Sequence, residues 1–266
     1  MSSKRRQKPS LDGVMVKVER ARFHYETLYN EVETLFERGA YVFVGEIHGD
    51  GREHIYRVKD APSPDPRWSA IVGDCVHNLR SALDHLACQL VRANGGIPTD
   101  KTYFPIRRSR CLRNPSTGQL EPAPLYIAGG ISTEAMEMIE AIQPYHGGNE
   151  GKRLLNINSL DVIDKHREII VVAQAVREGV TSYLVGHPDA PPRNTIRFFG
   201  KPLVHDEKVA KVTYETPYSQ LDPNLTFVPQ VAFGNRGPLA REPVWWLGFF
   251  ADWFRDELIP PFARFF

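Results

Sequence analysis

Between residues 14 and 38, Val14, Val18, Ala21, Tyr25, Leu28, Val32 and Leu35 recur at alternating spacings of four and three. That rhythm places them on one face of a helix turning about once every 3.6 residues, whereas a strand would scatter them over two faces. The run therefore predicts a long packing helix, closed by Gly39. A partner follows at residues 67–93, between the proline-rich "APSPDP" and the stop "NGG", where Leu79, Leu83, Leu86 and Leu90 crowd one side with Val76 beside them. Further helices are expected over residues 132–143, with Ser132 as N-cap, and over 153–178, with Gly179 as stop. A last one begins near Val244 and continues through Leu247, Ala251, Phe254 and Leu258.

Two segments read differently. "YVFVGEI" and "REHIYRV" flank the turn "HGDG", which predicts a β-hairpin over residues 41–58. From 180 to 234, "TSYLV", "TIRFF", "VAKVTYET" and "LTFVPQVAF" are short β-branched and aromatic runs separated by proline, glycine and asparagine, the pattern of a small antiparallel element. Residues 94–130 read as a long basic loop, in which arginines and a lysine near Tyr103 could line a polyanion site or simply face solvent. The expected fold class is α+β, mainly α: a bundle of about five helices with a hairpin and a β insertion.

With 266 residues, 42% of them hydrophobic, one large core is enough, so residues 11–266 are expected to form a single domain behind a flexible basic tail at 1–10. Lysine and arginine total 33 against 32 acidic residues, and this balance supplies no global field to attract a nucleic acid. Cys75, Cys88 and Cys111 are odd in number and unpaired in spacing, which argues against a disulfide framework and a cysteine zinc site. No apolar run has the length of a membrane span or signal peptide, so the expected location is the cytoplasm, with no membrane partner. The aromatic C-terminal stretch, with Trp245, Trp246, Phe249, Phe250, Trp253 and Phe254, predicts burial by a second copy in a homodimer.

The chemistry concentrates on the other side of the 67–93 helix. At about 100° per residue, Asp74, His77, Arg80, Ser81, Asp84, His85 and Cys88 share a face about 140° wide. Asn78 adjoins it, and the face carries short or titratable groups where a solvated surface favours lysine and glutamate. In "NINSLDVIDKHR", His166 falls on the apolar side beside Ser159 and Ile163, while Asp161, Asp164 and Lys165 fall opposite. Packing of that side on the polar face would bring His166 to His77 and Arg80.

The segment "LRSALDH" carries an arginine, four residues and a histidine, and it resembles the R-x4-6-H motif of the HEPN superfamily, helical proteins that include metal-independent ribonucleases of toxin and phage-defence systems. "HNLRSALDHL" with "IDKHR" also resembles uncharacterised bacterial proteins of similar length. The HEPN resemblance implies that Arg80 holds the scissile phosphate and that His85 acts as general acid or base, with His77 and Asp84 assisting. Ser81, Asn78, Asp164 and His166 would support that site. It implies RNA as partner, no metal or other cofactor, paired motifs across a dimer, and room for an inhibitory protein partner. Ser81 departs from the strongly polar residue that many members carry after the arginine. Two other readings stay open. His77, Asp84, His85, Asp164 and His166 could bind a metal, as in the similar DinB-like hydrolases. Alternatively, Arg80 pairs with Asp84 and His77 bonds nearby groups, forming the polar network of a non-enzymatic binding or scaffold module.

Overall fold

The computed structural model describes residues 8–167, 171–175, 193–221, 229–234 and 237–266. The fold is α+β and mainly helical. Five α-helices occur among the described residues: α1 (Asp12–Glu37), α2 (Pro66–Ala93), α3 (Thr133–Ala141), α4 (Gly148–His166) and α5 (Trp246–Trp253). None is long and apolar enough to cross a membrane. The described residues gather into two compact units, one drawn from the stretches 1–27, 70–169 and 245–266, the other from 28–69 and 170–244.

In the first unit, the expected apolar stripes are the buried ones. Leu79, Leu83 and Leu86 of α2 are wholly enclosed, as are Val14 and Ala21 of α1 and Leu154 and Ile157 of α4. Each of the valine, leucine and isoleucine side chains contributes about 1.5–3 kcal/mol by leaving water. The helix ends obey local chemistry. Asp65 Oδ1 accepts from the Arg67 N–H at 2.9 Å in front of α2, whose first residue is proline, and Gly95, at φ 82°, turns the chain away at its end. Ser132 caps α3 by accepting from the Ala135 N–H at 3.2 Å.

α2 is flanked by α1, where Lys17 Nζ donates to Asn78 Oδ1, and by α4, where the Asp164 carboxylate lies so close to Gly73 that a Cβ there would meet it. α5 presses on α1 at Gly248, against the Tyr25 ring, and continues as a π-helical turn over Phe254–Leu258. Phe250, Trp253 and Phe254 are enclosed, Trp246 and Phe249 are half-buried, and Trp245 is about half exposed.

The second unit is built on an antiparallel sheet. β1 (Val42–His48) and β2 (Glu53–Asp60) form the expected hairpin, and β7 (Lys208–Tyr214) and β6 (Asn194–Phe198) extend it in the order β1-β2-β7-β6. Tyr56 pairs with Ala210 and Ile196 with Val212, so alternate residues Tyr56, Val58, Val212 and Tyr214 are buried in a core with Tyr41 and Leu203. The 180–234 segment is thus not self-contained, because two of its strands complete the hairpin's sheet. The "TSYLV" run lies outside the described residues.

Two further expectations need correction. The 94–130 stretch is not loop throughout: β3 (Cys111–Arg113) and β4 (Leu120–Pro122) pair as a short hairpin around Gly118, which takes the left-handed conformation at φ 69°. α4 begins at Gly148 and ends at His166, and Arg167 turns extended (φ −155°, ψ 166°). The chain then forms β5 (Val171–Ala175), paired with β8 (Pro229–Phe233). Val171 and Val172 supply β-branched side chains that suit a strand better than a helix.

Candidate functional site

The polar face of α2 exists, and its members are divided among three neighbours. Arg80 Nη1 donates to Asp84 Oδ1 at 2.7 Å, one helical turn on, and its Nη2 donates to the Phe104 carbonyl at 3.0 Å. The same Asp84 oxygen accepts the Phe104 N–H at 2.9 Å. Together the two side chains satisfy both halves of a buried residue's backbone. The Arg80 side chain is only 11% exposed. Thr102 extends the seam, donating to the Ala128 carbonyl at 2.6 Å and accepting from the Thr99 N–H.

His85, expected to work with Arg80, faces solvent at the start of α1, where a Cβ on Gly13 would come within 3.9 Å of its Nδ1. Arg80 and His85 are five residues apart and turned about 140° from each other, and the structure gives them different neighbours. Asn78 donates to the Asp74 carbonyl at 2.8 Å and holds Lys17. Ser81 is half-buried, and its side chain has no hydrogen bond among the described residues.

His77 has the most defined surroundings. Its Nδ1–H donates to Asp161 Oδ1 at 3.1 Å, and Lys165 Nζ donates to the other carboxylate oxygen at 2.6 Å. The Asp161 side chain is 3% exposed, whereas that of His77 is 52% exposed, so a buried carboxylate orients an imidazole whose other edge can reach solvent. The sequence pattern placed Asp161 on the outer side of its helix and did not single it out. Its signal is the pair Asp161 and Asp164, three residues apart and therefore on one face. Asp164, an expected supporting residue, does lie here. Its pKa is raised by burial and then by the charges of Asp161 and Asp74, against the opposing pull of His77 and Lys165. His24 of α1 joins the rim; burial and the charge of Arg20 lower its pKa while Asp74 raises it.

No family model, curated protein or solved structure matches the chain.

His166 is exposed at the last residue of α4, not on an apolar face beside His77 and Arg80. The correction has a geometric cause: α4 turns toward α2 the side carrying Asp161 and Asp164, leaving His166 outside. Among the described residues, no three histidine, cysteine, aspartate or glutamate side chains are grouped so as to share a metal ion. Cys75 is fully enclosed, and burial, followed by the charge of Asp74, pushes its thiol up to about 12, while the half-buried Cys88 is also raised, again mainly by burial. Neither is a poised nucleophile.

Proposed function

We propose that the polar face of α2 is the internal seam of a non-enzymatic binding or scaffold module. One observation carries this reading: Arg80, the cation that phosphate chemistry would need, is 11% exposed and already holds Asp84 and the Phe104 carbonyl. A group that stabilises developing charge must aim its donors at the place where substrate will sit, and these donors are aimed at the Asp84 carboxylate and at the protein's own backbone. The test is incubation with mixed RNA in excess EDTA, beside folded Arg80→Ala and His85→Ala variants. The module reading expects no cleavage by the wild type; cleavage lost in either variant would overturn it.

A second reading, a HEPN-like RNA-processing protein, is favoured by His77. An exposed imidazole held through Nδ1 by a buried carboxylate is oriented for proton transfer at Nε2. In this reading His77 replaces His85 as the acid or base, and Asp161 is its positioning residue. The same incubation then shows cleavage that is lost in His77→Ala and retained in His85→Ala.

A further inference from the structure

Within the first unit, α3 borders a cleft of about 520 Å³, with Ala123 and its neighbours Pro122, Pro124 and Leu125 on one wall and Met136 on the other. That volume lies inside the range of about 300–1,000 Å³ typical of small-molecule sites, which are mostly apolar with a few fixed polar groups. The polar groups here are Arg110, Thr133, Glu137, Glu140 and Tyr145.

Three of them are already engaged with one another. Glu140 accepts from the Tyr145 hydroxyl through one oxygen, and its other oxygen lies 3.2 Å from both Arg110 Nη2 and His146 Nε2. The Arg110 guanidinium also sits 5.4 Å from the centre of the Tyr145 ring. Burial opposes ionisation of Glu140, but the hydrogen bonds from Tyr145 and His146 and the charge of Arg110 outweigh it, and its pKa is lowered. Burial and the same carboxylate push Tyr145 up to about 12. Glu140 is therefore a balanced anion.

Glu137 is not balanced. It lies three residues earlier on α3, lines the same cleft, is exposed, and has no ion-pair partner among the described residues. Arg110 contributes one positive charge to the lining, and Glu137 and Glu140 contribute two negative ones, leaving a net charge of −1. An anion entering the cleft would face that carboxylate, and a neutral molecule would strip it of water with no compensation. An ammonium group meets it, while an attached hydrocarbon covers the proline, leucine and methionine surface.

We propose that this cleft binds a small organic cation with an apolar body, its charged end on Glu137. The proposal rests on the module reading only in taking binding as its readout.

The test uses full-length protein carrying 13C-methyl methionine, with the Met136 signal assigned through Met136→Leu. Hexylamine is the probe, and hexanoate and hexanol are its anionic and neutral counterparts. Hexylammonium should shift the Met136 methyl signal saturably, the counterparts should leave it in place at equal concentration, and Glu137→Gln should weaken the effect about two- to fivefold, as expected of one exposed charge pair. Glu137 holds no other residue, so this variant should melt with the wild type. The proposal is overturned by no shift with hexylamine, by equal shifts with hexanoate or hexanol, or by an unchanged response in Glu137→Gln. Each of those results leaves the RNA incubation unaffected, and RNA cleavage would overturn the module reading without moving the Met136 signal.

Discussion

Arg80 donates to the carbonyl oxygen of Phe104 at 3.0 Å, 24 positions further along the chain. Phe104 is wholly buried, and its backbone finds its polar partners in Arg80 and Asp84. Replacing Arg80 by alanine strands a buried carbonyl and leaves Asp84 without its cation, which should lower the unfolding free energy by about 3 kcal/mol in urea titration. Arg80→Lys should not restore it, because one ammonium lacks the planar fork that reaches both partners. Loss of less than about 1 kcal/mol in Arg80→Ala would remove the seam from the account.

Asp161 should set the tautomer of His77. With Nδ1–H given to the carboxylate, neutral His77 keeps its lone pair on Nε2. A long-range 15N–1H spectrum should report the Nδ1–H form, and Asp161→Ala should shift the balance toward Nε2–H. A wild-type His77 in the Nε2–H form would show that the contact does not orient the ring.

Asp164 predicts a pH dependence with a definite sign. Its folded-state pKa lies above the usual carboxylate value of 3.8, so the folded protein holds this proton more tightly than the unfolded chain does. Its contribution to stability is present below pH 3.8 and is lost as pH rises through the raised value. Asp164→Asn, which removes a charge beside Asp161 and Asp74, should raise the melting temperature at pH 7, and the gain should vanish toward pH 3.5. An equal gain at both pH values would exclude charge as the cause.

Legibility stopped where a neighbour had to be chosen. The spacing of Val14, Val18 and Ala21, and of Leu79, Leu83 and Leu86, marks core because burial acts on every member of a stripe, and these residues are buried. The turn "HGDG" marks a hairpin because its glycines accept left-handed backbone, with Gly49 at φ 62° and Gly51 at φ 87°. Periodicity carries no information about which side of α4 meets α2, so it does not reveal that Asp161, and not His166, faces His77. The Arg80 and Asp84 pair was readable at a spacing of four, but Phe104, the residue that gives the pair its purpose, approaches through loop geometry with no sequence rhythm.

Gly248 should resist alanine. A Cβ at this position would come within 2.4 Å of the Tyr25 ring, too close for contact unless the ring or the helix shifts. Alanine gains up to about 1 kcal/mol of helix propensity, yet overpacking of about 1–3 kcal/mol should dominate. Thermal unfolding of Gly248→Ala should show net destabilisation, relieved in a Tyr25→Leu background. A variant more stable than the wild type would mean that α5 stands farther from α1.

The unit holding the first part of α1, most of α2 and all of α4 also includes α5, which lies more than 200 positions after α1. During synthesis, Tyr25 and its surroundings must wait for Gly248, Phe250 and Trp253 to leave the ribosome, while the hairpin strands of the other unit can pair early. At about 5–20 residues per second, that delay lasts roughly ten seconds or more. Throughout it, the apolar side of α1 that α5 will cover is open to water and to any chaperone that recognises unburied hydrocarbon. A slow-codon stretch placed before residue 245 would lengthen that exposure without changing a single side chain of the finished protein.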